Sequence, residues 1–188
     1  MGKIIWYFGG GNMRSVYGAG IVKGISKRMP LPELFKSTRE FIVGSGGAIN
    51  VAGLVAEQAE IPGEICISDL QSEFVSYSGA MSRILRGFGR KIGLKLEVNS
   101  APNCVEIDYL MDVLWNKRKL VHGRVKHCPV PIMIKLFDVK TMGLIHKDLR
   151  EDPQERIKQG VSIIPYYTSK GTLVDGDALV PLDLDYIS

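Results

Sequence analysis

Twice in its first 60 residues the chain passes through one local pattern: a short β-prone run, a cluster of glycines, then helical spacing. Residues 3–8 are an apolar run that stops at Gly9-Gly10-Gly11, and residues 14–28 (RSVYGAGIVKGISKR) space apolar and small side chains as a helix does. Residues 39–44 (REFIVG) repeat the strand, and residues 46–60 (GGAINVAGLVAEQAE) repeat the helix, ending before Pro62-Gly63. A chain that alternates strand and helix in this way is constrained to an α/β fold, and the expectation is a mostly parallel sheet.

Beyond these two strand–turn–helix units, glycines at 79, 87, 89 and 93 break up the helical stretches of residues 64–98. Ile107, Leu110, Met111 and Leu114 mark one face of a helix. Residues 131–139 (PIMIKLFDV) read as a buried strand that turns near Met142-Gly143 into a partner ending near His146. Asp152-Pro153 forms the cap and first turn of a short helix to Lys158, which Gly160 ends. Leu173-Val174 then runs into Asp175-Gly176. At 188 residues, with no repeat or evident linker, the chain reads as one domain over 1–188.

Composition narrows the class. With 45% apolar and 23% charged residues, a disordered tail, a collagen-like repeat and a coiled coil are excluded. No apolar run reaches the ~18 residues of a membrane span. Cys66, Cys104 and Cys128 are an odd number without C-x-x-C, so the expectation is a reducing, cytoplasmic setting. The N-terminus lacks the apolar core of a signal peptide, and Trp6 stands where a myristoylation signal wants Ser or Thr. Eleven of the 21 glycines lie in the first 53 residues, where they suit tight turns or backbone brought close to a ligand.

Three segments carry possible chemistry. Gly9-Gly10-Gly11-Asn12-Met13-Arg14 lies between strand and helix, where free N–H groups and the helix dipole suit a phosphate or a developing oxyanion. It matches neither G-x-G-x-x-G nor a P-loop, and a plain tight turn accounts for it equally. Val43-Gly44-Ser45-Gly46-Gly47-Ala48 is a second such turn. Ser45 there is either a nucleophile on a strained elbow or a helix N-cap. Asp175-Gly176-Asp177-Ala178 is either a plain Asp-Gly turn or a source of a carboxylate base. His122, His127 and His146 all precede Asp175, so the simplest assembly is a Ser45–Asp175 dyad. A carboxylate serving as direct base needs a partly dry site and strong oxyanion stabilisation. A conventional triad would use His146 as base with Asp112 or Asp138.

These segments resemble the patatin-like phospholipase family. GGGNMRSVYGAGIVKGI is similar to its oxyanion segment, VGSGGAIN to its G-x-S-x-G-A elbow, and VDGDALVP to its Asp-Gly-Gly or Asp-Gly-Ala segment; EIDYLMD and IKQGVSIIP resemble bacterial members. The resemblance implies a three-layer α/β/α fold and hydrolysis of lipid acyl esters without a cofactor. It implies Ser45 as nucleophile and Asp175 as base. Backbone N–H groups of Gly10, Gly11 and Asn12 would line the oxyanion hole, and Arg14 would brace the loop or touch a headgroup. Val43 replaces the first elbow glycine, and Asp177 stands beside the base. These departures leave a non-catalytic binding relative as an alternative. A nucleotide- or phosphate-binding α/β protein using Gly9–Gly11 is another.

Residues 81–97 (MSRILRGFGRKIGLKLE) carry five basic residues against Glu97, a segment suited to peripheral contact with anionic lipid or to a solvated face. A second basic stretch, Lys117, Arg118, Lys119, Arg124 and Lys126, lacks interleaved aromatics, so no nucleic-acid partner is expected. His122, His127 and Cys128 match no strong zinc spacing, and no metal is expected.

Overall fold

A computed structural model describes residues 3–10, 15–64, 111–117, 119–162 and 172–176. Gly11, Asn12, Arg14, Asp177, the helix face before Met111 and the basic segment 81–97 lie outside the described residues.

The first half follows the expected alternation. Strand β1 (Ile4–Phe8) leads to α1 (Ser15–Arg28), and α2 (Leu31–Ser37) leads directly into β2 (Thr38–Val43). Helix α2 is absent from the sequence-based expectation, although Leu31-Pro32 places a proline in its first turn, where the missing N–H costs nothing. It is anchored by Thr38, whose hydroxyl donates to the Leu34 carbonyl at 2.7 Å and accepts from Trp6 Nε1 at 3.0 Å. Helix α3 (Gly46–Val55) is buried along most of its length, as its nearly unbroken run of small and apolar residues requires.

Helix α3 stops five residues before the expected Glu60. Glu57 turns left-handed (φ 61°), Gln58 N–H donates to the Gly53 carbonyl at 2.8 Å, and Glu57 N–H donates to Leu54 at 3.1 Å. This paired bonding is a Schellman terminus. The Gln58 side chain then ties down the chain at Lys119 and Val121, and Arg124 reaches the Ala56 carbonyl and Glu57. A single helical turn, α4 (Ile61–Glu64), follows. The π-helical segment Val113–Lys117 buries Leu114, and α5 (His122–Lys126) buries Val125.

Among the described residues the sheet has five strands and is mixed, which corrects the expectation of a mostly parallel one. β1 pairs with β2, and β2 with β3 (Ile132–Asp138), both in parallel; β3 pairs antiparallel with β4 (Gly143–Asp148) and with β5 (Leu173–Asp175). The β3–β4 link is four residues long, too short for the crossover that a parallel neighbour needs. The Asp138 carboxylate holds that link by accepting from Lys140 N–H at 2.9 Å and Thr141 Oγ1 at 3.1 Å.

Helix α6 (Pro153–Gly160) packs Ile157 into the core formed by Phe41, Ile134, Leu136, Val51 and Leu54. Asp152 caps α6 by accepting from Glu155 N–H at 3.2 Å, as the sequence indicates. Beyond β4, Arg150 grips Asp148 with Nη2–Oδ2 at 2.6 Å and donates to the Cys128 carbonyl at 3.0 Å. Burial raises the Asp148 carboxyl, but the Arg150 hydrogen bonds and charge outweigh it and hold the group below its ordinary 3.8. No helix among the described residues is long and apolar enough to cross a membrane.

Two stability measurements follow from these anchors. Asp152→Ala removes the cap of α6 and is expected to lower unfolding free energy by about 1 kcal/mol in urea titrations; an unchanged midpoint contradicts a capping role. The folded Asp148 is depressed, so its contact stabilises the protein above the unfolded value and fades as pH falls through the folded one. Asp148→Asn is therefore expected to be less stable at pH 7 and to lose less stability on acidification than the parent protein.

Candidate active site

The site forms where β1 and β2 reach their upper ends. Gly44 N–H donates to the Phe8 carbonyl at 3.0 Å, which joins the two strand ends. The backbone then reverses at Ser45, with φ 47° and ψ −131°, and α3 begins as Gly47 N–H donates to Gly44 at 2.8 Å. A side-chain-bearing residue in such a conformation costs about 1–3 kcal/mol and persists only where its surroundings enforce it. The enforcement is steric. A Cβ on Gly47 would lie 2.0 Å from the Phe8 oxygen, so only glycine lets α3 start this close to β1.

The Ser45 side chain makes no capping hydrogen bond to α3, which removes the N-cap explanation. The glycine turn after β1 lies against it instead: a Cβ on Gly10 would fall 2.1 Å from Ser45 Cβ and 2.8 Å from Oγ. The first and second glycine turns of the sequence thus meet, and Ser45 is only 8% exposed.

Asp175 arrives from the other direction. β4 occupies one edge of β3 along Met133–Asp138, so β2 and β5 must share the other edge. β2 ends with Val43 opposite Ile134, and β5 ends with Asp175 opposite Leu136. The carboxyl ends of the two strands therefore point at one another across Lys135, about 7 Å apart along β3. The turn that carries Ser45 and the strand end that carries Asp175 converge there. Asp175 is 2% exposed, and its N–H donates to the Ser162 carbonyl at 2.7 Å, just beyond α6. Ser162 Oγ in turn donates to Lys158 O at 2.7 Å.

The residues of the alternative triad are engaged as follows. Asp138 pairs with Gly143, three register positions from the Lys135–His146 pair, and its carboxylate is engaged by the hairpin turn. The Asp112 carboxylate accepts from Asn116 Nδ2 at 2.7 Å. His122 lies edge-on to Trp115 with ring centroids 5.9 Å apart, and His127 Nδ1 bonds Gly123 O at 2.7 Å. Burial raises the Cys128 thiol, which suits an inert packing residue rather than a nucleophile. Among the described residues no three His, Cys, Asp or Glu side chains are grouped to hold a metal ion.

Sequence reasoning passed over Lys135, which is fully buried between the two strand ends. Its signal was present: a lone lysine inside the apolar run PIMIKLFDV.

Backbone strain at Ser45 gives a measurable contrast. Ala keeps the Cβ in the unfavourable conformation and Gly does not, so Ser45→Gly is expected to exceed Ser45→Ala in stability by about 1 kcal/mol in urea unfolding. The reverse order would mean that the turn is unstrained. Compared with known proteins, the chain matches no protein-family model and no curated sequence.

Proposed function

We propose that this protein is a serine acyl hydrolase of patatin-like, three-layer architecture that cleaves lipid or other acyl esters. The observation that carries the reading is the strained, uncapped Ser45, held against Gly10 at the head of a strand–turn–helix unit. The approach of the β5 end to the same point supports Asp175 as its base.

In the proposed reaction, Ser45 Oγ attacks the ester carbonyl carbon as Asp175 takes its proton. The carbonyl oxygen becomes an oxyanion held by backbone N–H groups of Gly10, Gly11 and Asn12. Collapse breaks the bond to the leaving alcohol, which receives the proton from Asp175 and leaves an acyl ester on Ser45. Water then attacks that ester with Asp175 again accepting a proton, and collapse returns the proton to Ser45 Oγ and frees the acid. No cofactor enters these steps. Arg14 braces the glycine turn or meets a headgroup, and the basic segment 81–97 suits contact with an anionic lipid surface.

A fluorophosphonate probe tests the reading on the full chain. Covalent labelling is expected in the parent protein, is abolished in Ser45→Ala, and is slowed at least about 100-fold in Asp175→Asn. A folded parent protein that takes no label refutes catalysis and favours the non-catalytic binding relative.

A further inference from the structure

Helix α1 carries apolar side chains on both of its sides. Ala19 and Val22 are buried on the inner side, where α1 packs on α3. Tyr17 and Ile21, one turn apart, face outward and are 74% and 56% exposed. Gly24 and Arg28 continue that ridge at helical spacing, and Lys23 and Lys27 line one flank of it. Among the described residues, nothing stands within 4 Å of the Cβ position at Gly20 or Gly24, so no neighbour packs on this side. The charge on α1 is of one sign. Its 14 residues include Lys23, Lys27 and Arg28, all exposed, and no carboxylate. None of the three forms an ion pair with a described residue. Lys27 and Arg28 also complement the C-terminal end of the helix dipole, but that role involves neither Lys23 nor the two exposed apolar side chains. Single apolar residues on a surface are ordinary. An aromatic and an aliphatic side chain on successive turns, beside cations alone, are the make-up of a helix that lies in an anionic lipid interface.

We infer that the outward ridge of α1 is a contact surface for an anionic lipid bilayer. Tyr17 and Ile21 enter the headgroup region, and Lys23, Lys27 and Arg28 meet the acidic headgroups. This surface is separate from the basic segment 81–97. It also starts near the candidate active site. Gly18, next to Tyr17, lies against Asn50 on α3, the helix that Ser45 heads. That the contact serves to deliver acyl esters to Ser45 rests on the hydrolase reading; adsorption to the bilayer does not.

The test is cosedimentation of the full chain with vesicles of phosphatidylcholine, alone or mixed with phosphatidylserine. Binding is expected to the mixed vesicles, to be weak on phosphatidylcholine alone, and to fall as salt rises. Lys23→Gln/Lys27→Gln is expected to weaken binding about fivefold for each charge removed. Tyr17→Ser/Ile21→Ser is expected to weaken it at least about tenfold. All four side chains are exposed, so each variant is expected to keep the circular dichroism of the parent protein. No binding to the mixed vesicles overturns the inference. Binding that both α1 variants leave unchanged also overturns it, and its loss in Arg83→Gln/Arg86→Gln/Arg90→Gln would then assign it to segment 81–97. Unchanged binding with a dimer lost in Tyr17→Ser/Ile21→Ser assigns the ridge to a second copy of this chain and equally overturns the lipid contact. A parent protein that binds through α1 but takes no fluorophosphonate label upholds the lipid contact and refutes the hydrolase reading.

Discussion

One edge of β3 is shared by two strands that run in opposite directions, and the rest of the site depends on that sharing. β2 pairs with the first part of this edge and turns away into α3 after Val43. The vacated part is taken by β5. Had β2 continued, β5 would have no edge to join; had β5 run parallel, its carboxyl end would lie at the far end of β3. The convergence of the β2 end before Ser45 with the β5 end at Asp175, 130 positions apart in the chain, is thus a consequence of strand pairing rather than of local loop geometry.

Close backbone packing completes the arrangement. Gly47 admits the Phe8 carbonyl and Gly10 admits the Ser45 side chain, so the upper ends of β1, β2 and α3 form one compact corner. The unfavourable dihedrals of Ser45 are the cost of that corner, and the burial of α3 against the sheet outweighs it. Lower down, Arg150 joins β4 to the segment before β3, and Asp152 starts α6, which leads to the Ser162 carbonyl behind Asp175.

Much of this was legible in the sequence because it is local. The apolar run Ile4–Phe8, the glycines flanking Ser45, and the Asp152-Pro153 cap each announce their element through periodicity, backbone freedom or capping chemistry. Outside the β3–β4 hairpin, which the turn near Met142-Gly143 announces, strand direction was not legible, since apolar periodicity is the same for parallel and antiparallel pairing. The shortness of the Val139–Met142 link is what points to the antiparallel β3–β4 pair. Helix α2 was hidden by its seven-residue length and two nearby prolines. The end of α3 was misjudged because Glu57 adopts a left-handed cap conformation more often taken by glycine. Lys135 was overlooked because a lysine in an apolar run reads as a solvent-facing break until the sheet is assembled around it.

The shared edge also bears on what the chain would expose without β5. β1, α1, α2, β2 and α3 come from the first 55 residues and β3 with β4 needs only a short hairpin, whereas the β2–β3 and β3–β5 pairings join segments distant in the chain. The Leu136–Asp138 edge is covered by β5, which begins 35 residues beyond Asp138, and would be open without it. An unpaired edge in a nearly complete sheet is a template for another chain. The pairing that directs the β5 end toward the Ser45 turn therefore also satisfies backbone groups of β3 that would otherwise offer another chain a place to pair.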